Sequence, residues 1–143
     1  MPEIPLVPSL WRFPAHPASV RRARQAVAET LSYDQAYGLA PQLTADLGLL
    51  ASELVTNAIR HGARPEDDEL VELVLWPADG HYWLAVSDPG TGTHAPKVAY
   101  PDADCENGRG LVIVDHLATA WTVRPRPIRG TSVIAGLPIH RSG

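Results

Sequence analysis

Three short stretches place polar or glycine residues where an apolar pattern would otherwise continue. They are Glu53 and Asn57 in SELVTNAIRHG, Asp88 with Gly90 and Gly92 in SDPGTG, and Gly108, Arg109 and Gly110 in NGRGL. Glu53 and Asn57 stand four positions apart, which on a helix puts a carboxylate and a carboxamide roughly 40° from each other. Such a pair either decorates a surface edge or grips a ligand. Asp88 ends an apolar run, where its carboxylate can leave a sheet and accept hydrogen bonds from a planar donor. Gly90 and Gly92 lack Cβ, so backbone there can approach a ligand closely, although Asp-Pro-Gly is also ordinary turn chemistry. Gly108 and Gly110 open an apolar helical pattern whose free N–H groups and dipole suit a phosphate. Arg109 adds a forked donor. The plainer alternative for this third stretch is a flexible hinge.

The elements that must position these groups are legible from periodicity. LWRFPA reads as a short edge strand stopped by Pro14. Val20, Ala23, Val27 and Leu31 recur at helical spacing from Ala18 to about Tyr33, with the Ser19 hydroxyl as the expected cap. A second helix is expected from Pro41 to His61, closed by Gly62. Leu43, Leu47, Leu50, Leu54 and Ala58 form its core stripe, so Glu53 and Asn57 fall on the border of that stripe. LVELVLW and YWLAVSD, joined by PADGH, read as a hairpin. Residues 89–107 show no periodicity, and a loop of that length inside a small domain is usually functional. A third helix, GRGLVIVDHLATA, carries Leu111, Val114, Leu117 and Ala118 on one face, and WTVRPRP with GTSVIAGLP forms a second hairpin.

Composition narrows the classes. With 143 residues, 45% hydrophobic and 20% charged, the chain reads as one globular domain. Residues 1–10, with three prolines, are expected to form a poorly ordered lead and residues 11–143 the domain. Net charge is −4, with six Arg and six acids in residues 1–66 and six basic residues and ten acids in residues 67–143. That balance disfavours nucleic acid as a direct partner and a helix acting as a DNA reader. Arg124, Arg126 and Arg129 form a local basic cluster whose simplest reading is a solvated strand and turn. Cys105 is the sole cysteine, and the six His show no metal-ligand spacing. The start, MPEIPLVPSLW, has neither a basic n-region nor a long apolar run. A reducing, cytoplasmic setting away from membranes is expected. No Walker lysine motif or GxGxxG occurs, and the one lysine is Lys97. A triphosphate here would rest on backbone amides, Arg109 and a metal.

E-x-x-x-N on a helix, D-x-G-x-G after a strand and G-x-G-L opening a helix, in that order, resemble the GHKL ATP-binding superfamily. SELVTNAIRHG and GRGLVIVDHLATAW are very similar to the corresponding boxes of stand-alone anti-sigma-factor serine/threonine kinases of actinobacteria, over about residues 11–138. The resemblance implies an α+β fold of the GHKL (Bergerat) type, a two-layer α/β sandwich with helices on one face of a mostly antiparallel mixed sheet. It implies ATP and Mg²⁺ as cofactors, with Asn57 holding the metal and Glu53 acting as general base on, or positioning, a serine hydroxyl. Asp88 would accept from the adenine amino group, Gly90 and Gly92 would pass close to the nucleotide, and residues 93–107 would form the lid. Gly108, Arg109 and Gly110 would cradle phosphate, and Thr131 in GTSV would lie near adenine. The implied partners are an anti-sigma-factor antagonist of STAS type and a sigma factor. A homodimer is a further expectation, with the free edge of the first strand as its place. The alternative is a catalytically silent module in which ATP only switches protein–protein binding.

Overall fold

The computed structural model describes residues 10–35, 41–61, 69–90, 106–126 and 129–139. Its elements are β1 (Leu10–Pro14), α1 (Ala18–Gln35), α2 (Pro41–His61), β2 (Leu70–Ala78), β3 (His81–Asp88), α3 (Glu106–Leu117), β4 (Ala120–Pro125) and β5 (Thr131–Pro138). The five strands form one sheet in the order β1-β2-β3-β5-β4. Each of its four pairings is antiparallel. β3 and β4 run the same way, but β5 is inserted between them, so the sheet contains no parallel step.

Alternation along the strands sorts the two faces. Val71, Leu73 and Leu75 of β2, Tyr82, Leu84 and Val86 of β3, and Ala135 and Leu137 of β5 join the helices in the main core. Val74, Trp76, Trp83, Ala85 and Ile134 make a second cluster on the opposite face. The fold is thus the two-layer α+β sandwich, with its helices on one side of the sheet. β1 lies at one edge and β4 at the other.

α1 buries Ala23, Val27 and Leu31 at its helical spacing, and runs to Gln35, slightly beyond the expected end. Ser19 does not cap it. Its hydroxyl donates to the Pro14 carbonyl at 2.7 Å, while the His16 ring Nδ1 accepts from the Ala18 N–H at 3.3 Å. The cap position therefore falls outside the helix, where the chain leaves β1, and Ser19 ties helix to strand instead. α2 has the bounds expected of it, but it buries Gly48, Ala51, Ser52 and Val55 besides the expected stripe. The reason is that α2 is the central helix, packed on both α1 and α3 as well as on β2, β3 and β5.

The β2–β3 hairpin closes through Asp79 (φ 53°) and Gly80 (φ 73°), a two-residue turn whose positive φ values match the twist of the strands. Both strands run further into the turn than their apolar cores suggest. α3 begins at Glu106, two residues before Gly108. The expected lead at residues 1–9, Gly62, Gly92 and the expected lid over residues 93–105 lie outside the described residues, as do Lys97 and Cys105. Leu10, counted with the lead above, belongs to β1.

One contact fixes β3 against β5. Trp83 faces Gly136 across the pair, and a Cβ at Gly136 would come within 2.5 Å of the indole Cε3 and Cζ3. The indole cannot swing away freely, since its Nε1 donates to the Ala78 carbonyl at 2.9 Å. Gly136→Ala is expected to cost about 1–3 kcal/mol of stability through overpacking. Urea unfolding would show a lower midpoint at an unchanged m-value, and an unshifted midpoint would refute this packing argument.

Candidate nucleotide site

The site can be assembled from parity alone. Asp88 continues the series Tyr82, Leu84, Val86, and Thr131 continues Leu137, Ala135, Val133, so both belong to the helix-facing side of the sheet. They are cross-strand partners at the end of the β3–β5 pair. Thr131 is buried and Asp88 half-buried. The neighbouring pair, Ser87 and Ser132, faces the other way, with hydroxyls 2.6 Å apart.

On α2, the flank bearing Gly48 and Ser52 meets α1. Arg24 Nε donates to the Ser52 hydroxyl at 2.8 Å, and its Cγ lies 3.4 Å from where a Gly48 Cβ would sit. Glu53 and Asn57 lie roughly 140° around the helix from that flank. They therefore occupy the opposite border of the buried surface, where α3 packs, and both are half-buried. Ser52 and Thr56 turn their hydroxyls back onto their own helix, bonding the carbonyls of Gly48 and Ser52 at 2.9 and 2.6 Å.

α3 supplies the third part. A helix starting at Glu106 leaves the N–H groups of its first four residues, Glu106 to Arg109, without intrahelical acceptors. Gly108 and Arg109 thus lie in the donor-rich first turn, while Gly110 is one residue further in. Glu106 and Asn107 are helical rather than part of a preceding loop.

The segment after Asp88 is held from two sides. Asp88 Oδ1 accepts the Gly90 N–H at 2.8 Å. Gly90 (φ 78°) and Gly130 (φ 91°) stand against each other. A Cβ on Gly90 would meet Gly130 Cα and N at 2.9 Å, and one on Gly130 would run into the Asp88 carbonyl and Pro89. Glycine is required at both places, for φ and for space. Arg126 donates to the Asp88 carbonyl at 3.2 Å and reaches Glu72 at 3.4 Å. Glu72 in turn pairs with Arg12 of β1 at 2.9 Å. Arg126 and Arg129 of the basic cluster are therefore more than solvated charge: Arg126 donates to the Asp88 carbonyl, and the exposed Arg129 to those of Pro89 and Gly90. Sequence pattern alone did not reveal these contacts, because they join residues about forty positions apart.

The surroundings alter the acidity of Asp88. Burial raises its pKa above the usual carboxylate value. The Gly90 N–H, the Arg126 charge and the Thr131 backbone pull it back, while nearby Glu69 adds to the rise. The result is a half-desolvated acceptor at a sheet end beside a buried threonine, suited to a planar donor that carries an N–H.

Residues 13–135 match the family described as the histidine kinase-like ATPase domain. Among curated proteins, a blue-light-activated histidine kinase of Erythrobacter litoralis is 28% identical over 106 residues, covering 72% of this chain and 28% of that protein. The crystal structure of the RsbU and RsbW domains of Rv1364c from Mycobacterium tuberculosis superposes with a TM-score of 0.64 at 20% identity, covering 96% of this chain and 34% of that one. The histidine kinase domain of the Erythrobacter litoralis EL346 blue-light-activated kinase gives a TM-score of 0.54 at 21% identity, covering 89% and 62%. The chain thus spans about a quarter of the curated relative and about a third of the first structure.

Asp88 has a consequence for stability. The folded state holds its proton more tightly than the unfolded chain does, so the ionised carboxylate weighs against folding at neutral pH. That weight fades as the pH falls through the raised value and is gone below the ordinary 3.8. Asp88→Asn is expected to melt above the native protein at neutral pH, with the gap closing on acidification. Thermal melts across that range check it, and a native protein that melts higher than the variant at neutral pH would contradict it.

Proposed function

The chain belongs to the histidine kinase-like ATPase domain family, and we propose that within it this protein is a regulator that binds Mg·ATP and phosphorylates a protein hydroxyl. The acceptor is a serine or threonine of an anti-sigma-factor antagonist of STAS type, and a sigma factor is a second partner. What supports the reading is that Asp88 and Thr131 pair on the helix-facing side of the sheet, that α2, bearing the half-buried Glu53 and Asn57, packs on β3 and β5, and that α3 packs on α2. The fold shared with a structure containing an RsbW domain supports the partner class.

The donor set fits the nucleotide. The Asp88 carboxylate, which already accepts from the backbone at Gly90 and Thr131, has lone pairs enough to accept as well from the adenine amino group, next to Thr131. Gly90 and Gly130 pack backbone to backbone, which keeps the turn after Asp88 narrow beside the place where a base would pass. Gly92 would extend that stretch. Gly108, Arg109 and Gly110, at the start of α3, would hold phosphate through helix N–H groups and a guanidinium. Asn57 would hold Mg²⁺ through its amide oxygen, since magnesium takes hard oxygen ligands and few of them from protein. When bound, Mg·ATP supplies the transferable phosphoryl group and the charge neutralisation that such transfers need. Glu53 would take the proton of the incoming serine hydroxyl, or position that hydroxyl, for the transfer. Positioned one helical turn from Asn57, it keeps acceptor and metal ligand on one rigid element.

Among the described residues no helix is long and apolar enough to cross a membrane. ATP as co-substrate and a transcription factor as partner place the proposed activity in the cytoplasm. β1, at the sheet edge, remains the proposed place for a second copy.

Glu53→Gln is expected to slow phosphate transfer by about 10²–10⁴-fold, the usual contribution of a positioned base, and to leave Mg·ATP binding intact. Asn57→Ala is expected to reduce nucleotide affinity in magnesium to the level seen with chelator. Partners captured from extract with and without Mg·ATP, then analysed for phosphoserine and phosphothreonine, provide the assay. Transfer at the native rate by both variants would remove the catalytic assignment. Mg·ATP-dependent capture with no phosphate on the partner would favour the silent switch.

A further inference from the structure

The stretch Asp88-Pro89-Gly90 has almost nothing with which to pack. Pro89 and Gly90 offer little side chain, and both are half-buried at the end of β3. Their main-chain carbonyls are engaged all the same. Arg129 Nε donates to the Pro89 carbonyl at 2.6 Å, and one of its terminal nitrogens donates to the Gly90 carbonyl at 3.1 Å. The same nitrogen pairs with Glu69, immediately before β2. Glu69 is itself anchored, since its carbonyl accepts the Ala15 N–H at 3.2 Å, and its side chain is 12% exposed against 59% for Arg129.

We propose that Arg129, oriented by Glu69, is a positioning residue for purine recognition: its guanidinium clamps the backbone after Asp88 and so aims the Asp88 carboxylate. The inference deepens the nucleotide reading above and rests on it. The logic is geometric. Asp88 Oδ1 is held by the Gly90 N–H, the stronger of the carboxylate's two backbone contacts, the other being Thr131, so the direction of the carboxylate depends on the position of Gly90. Gly90 is seated against Gly130, the residue after Arg129, and its carbonyl is held by Arg129 itself. Carboxylate, turn and clamp form one closed circuit. A planar fork can serve two carbonyls and a carboxylate at once, which a lysine ammonium on a flexible stem cannot do with the same direction. Arg126 holds the Asp88 carbonyl from the other side and leaves Gly90 to Arg129.

The experiment compares ATP with inosine triphosphate, which carries a 6-oxo group in place of the 6-amino group, by calorimetry in magnesium. The native protein is expected to prefer ATP. Arg129→Ala is expected to shrink that preference about tenfold, the worth of one charge-assisted hydrogen bond, with phosphate-dependent binding retained. Arg129→Lys should shrink it too, since charge without the fork does not fix the turn. Should Arg129→Ala fail to fold, Arg129→Lys carries the same comparison. A native protein that does not distinguish the two nucleotides overturns the Asp88 reading and the inference with it. A native preference that survives in both variants, full rescue by lysine, or an equal loss for both nucleotides overturns the role of Arg129 alone.

Discussion

The site depends on the register between β3 and β5. Side chains alternate with a period of two, so a slip of one residue would send Asp88 and Thr131 to the face without helices and bring Ser87 and Ser132 in their place. What prevents the slip lies mostly on that other face. Trp83 lies over Gly136 and is anchored by the Ala78 carbonyl. Ser87 and Ser132 bond across the pair. The Asp79-Gly80 turn sets β2 against β3, and the Ile139 N–H closes on the Gly80 carbonyl at 2.9 Å. The far face sets the alignment, and the helix-facing side carries Asp88 and Thr131.

α2 is the second half of the same arrangement. A helix between two others has two borders, and here they are used differently. Toward α1 the residues are small, Gly48 and Ser52, which lets Arg24 lie close and satisfy the Ser52 hydroxyl. Toward α3 stand a carboxylate and a carboxamide in half-buried positions, where desolvation strengthens any interaction they make. Their cost in stability is borne by the Leu and Ala residues one step round the helix, which are buried almost completely. Half-buried polar groups and core packing therefore share one rigid element without competing for the same face.

All eight elements are visible in the sequence, because each carries a clean period: 3.6 in the helices, two in the strands, with Pro14, Pro41 and Asp79-Gly80 as punctuation. Glu53, Asn57 and Asp88 stand out in the sequence as polar interruptions in apolar runs, whereas Thr131 is singled out only by the family resemblance. What local pattern does not show is whatever depends on pairing across the fold. Ser19 looks like a cap by position, yet its hydroxyl reaches back to Pro14 because β1 passes beneath the helix start. The start of α3 is set by residues with no apolar period, Glu106 and Asn107, so periodicity places it two residues late. Arg126 and Arg129 look like solvent-facing charge in a turn, and only the β3–β5 pairing brings them to Asp88 and Gly90.

That last group explains how a segment of glycine and proline can be held in a fixed position after Asp88. Apolar packing cannot hold such a segment, since it has too little side chain to bury. Helical or sheet hydrogen bonding cannot hold it either, since the ladder ends at the Asp88–Thr131 pair. What remains are its carbonyl oxygens, and these need donors that arrive from elsewhere in the chain at fixed angles. The β4–β5 hairpin delivers two guanidiniums and a glycine to that spot because its own closure, the Arg126 N–H on the Gly130 carbonyl at 3.0 Å, sets them at fixed spacing. The bare backbone that lets a ligand come close is the same feature that demands an external clamp. A more richly packed loop would be stiffer without help, but its side chains would fill the space the base needs.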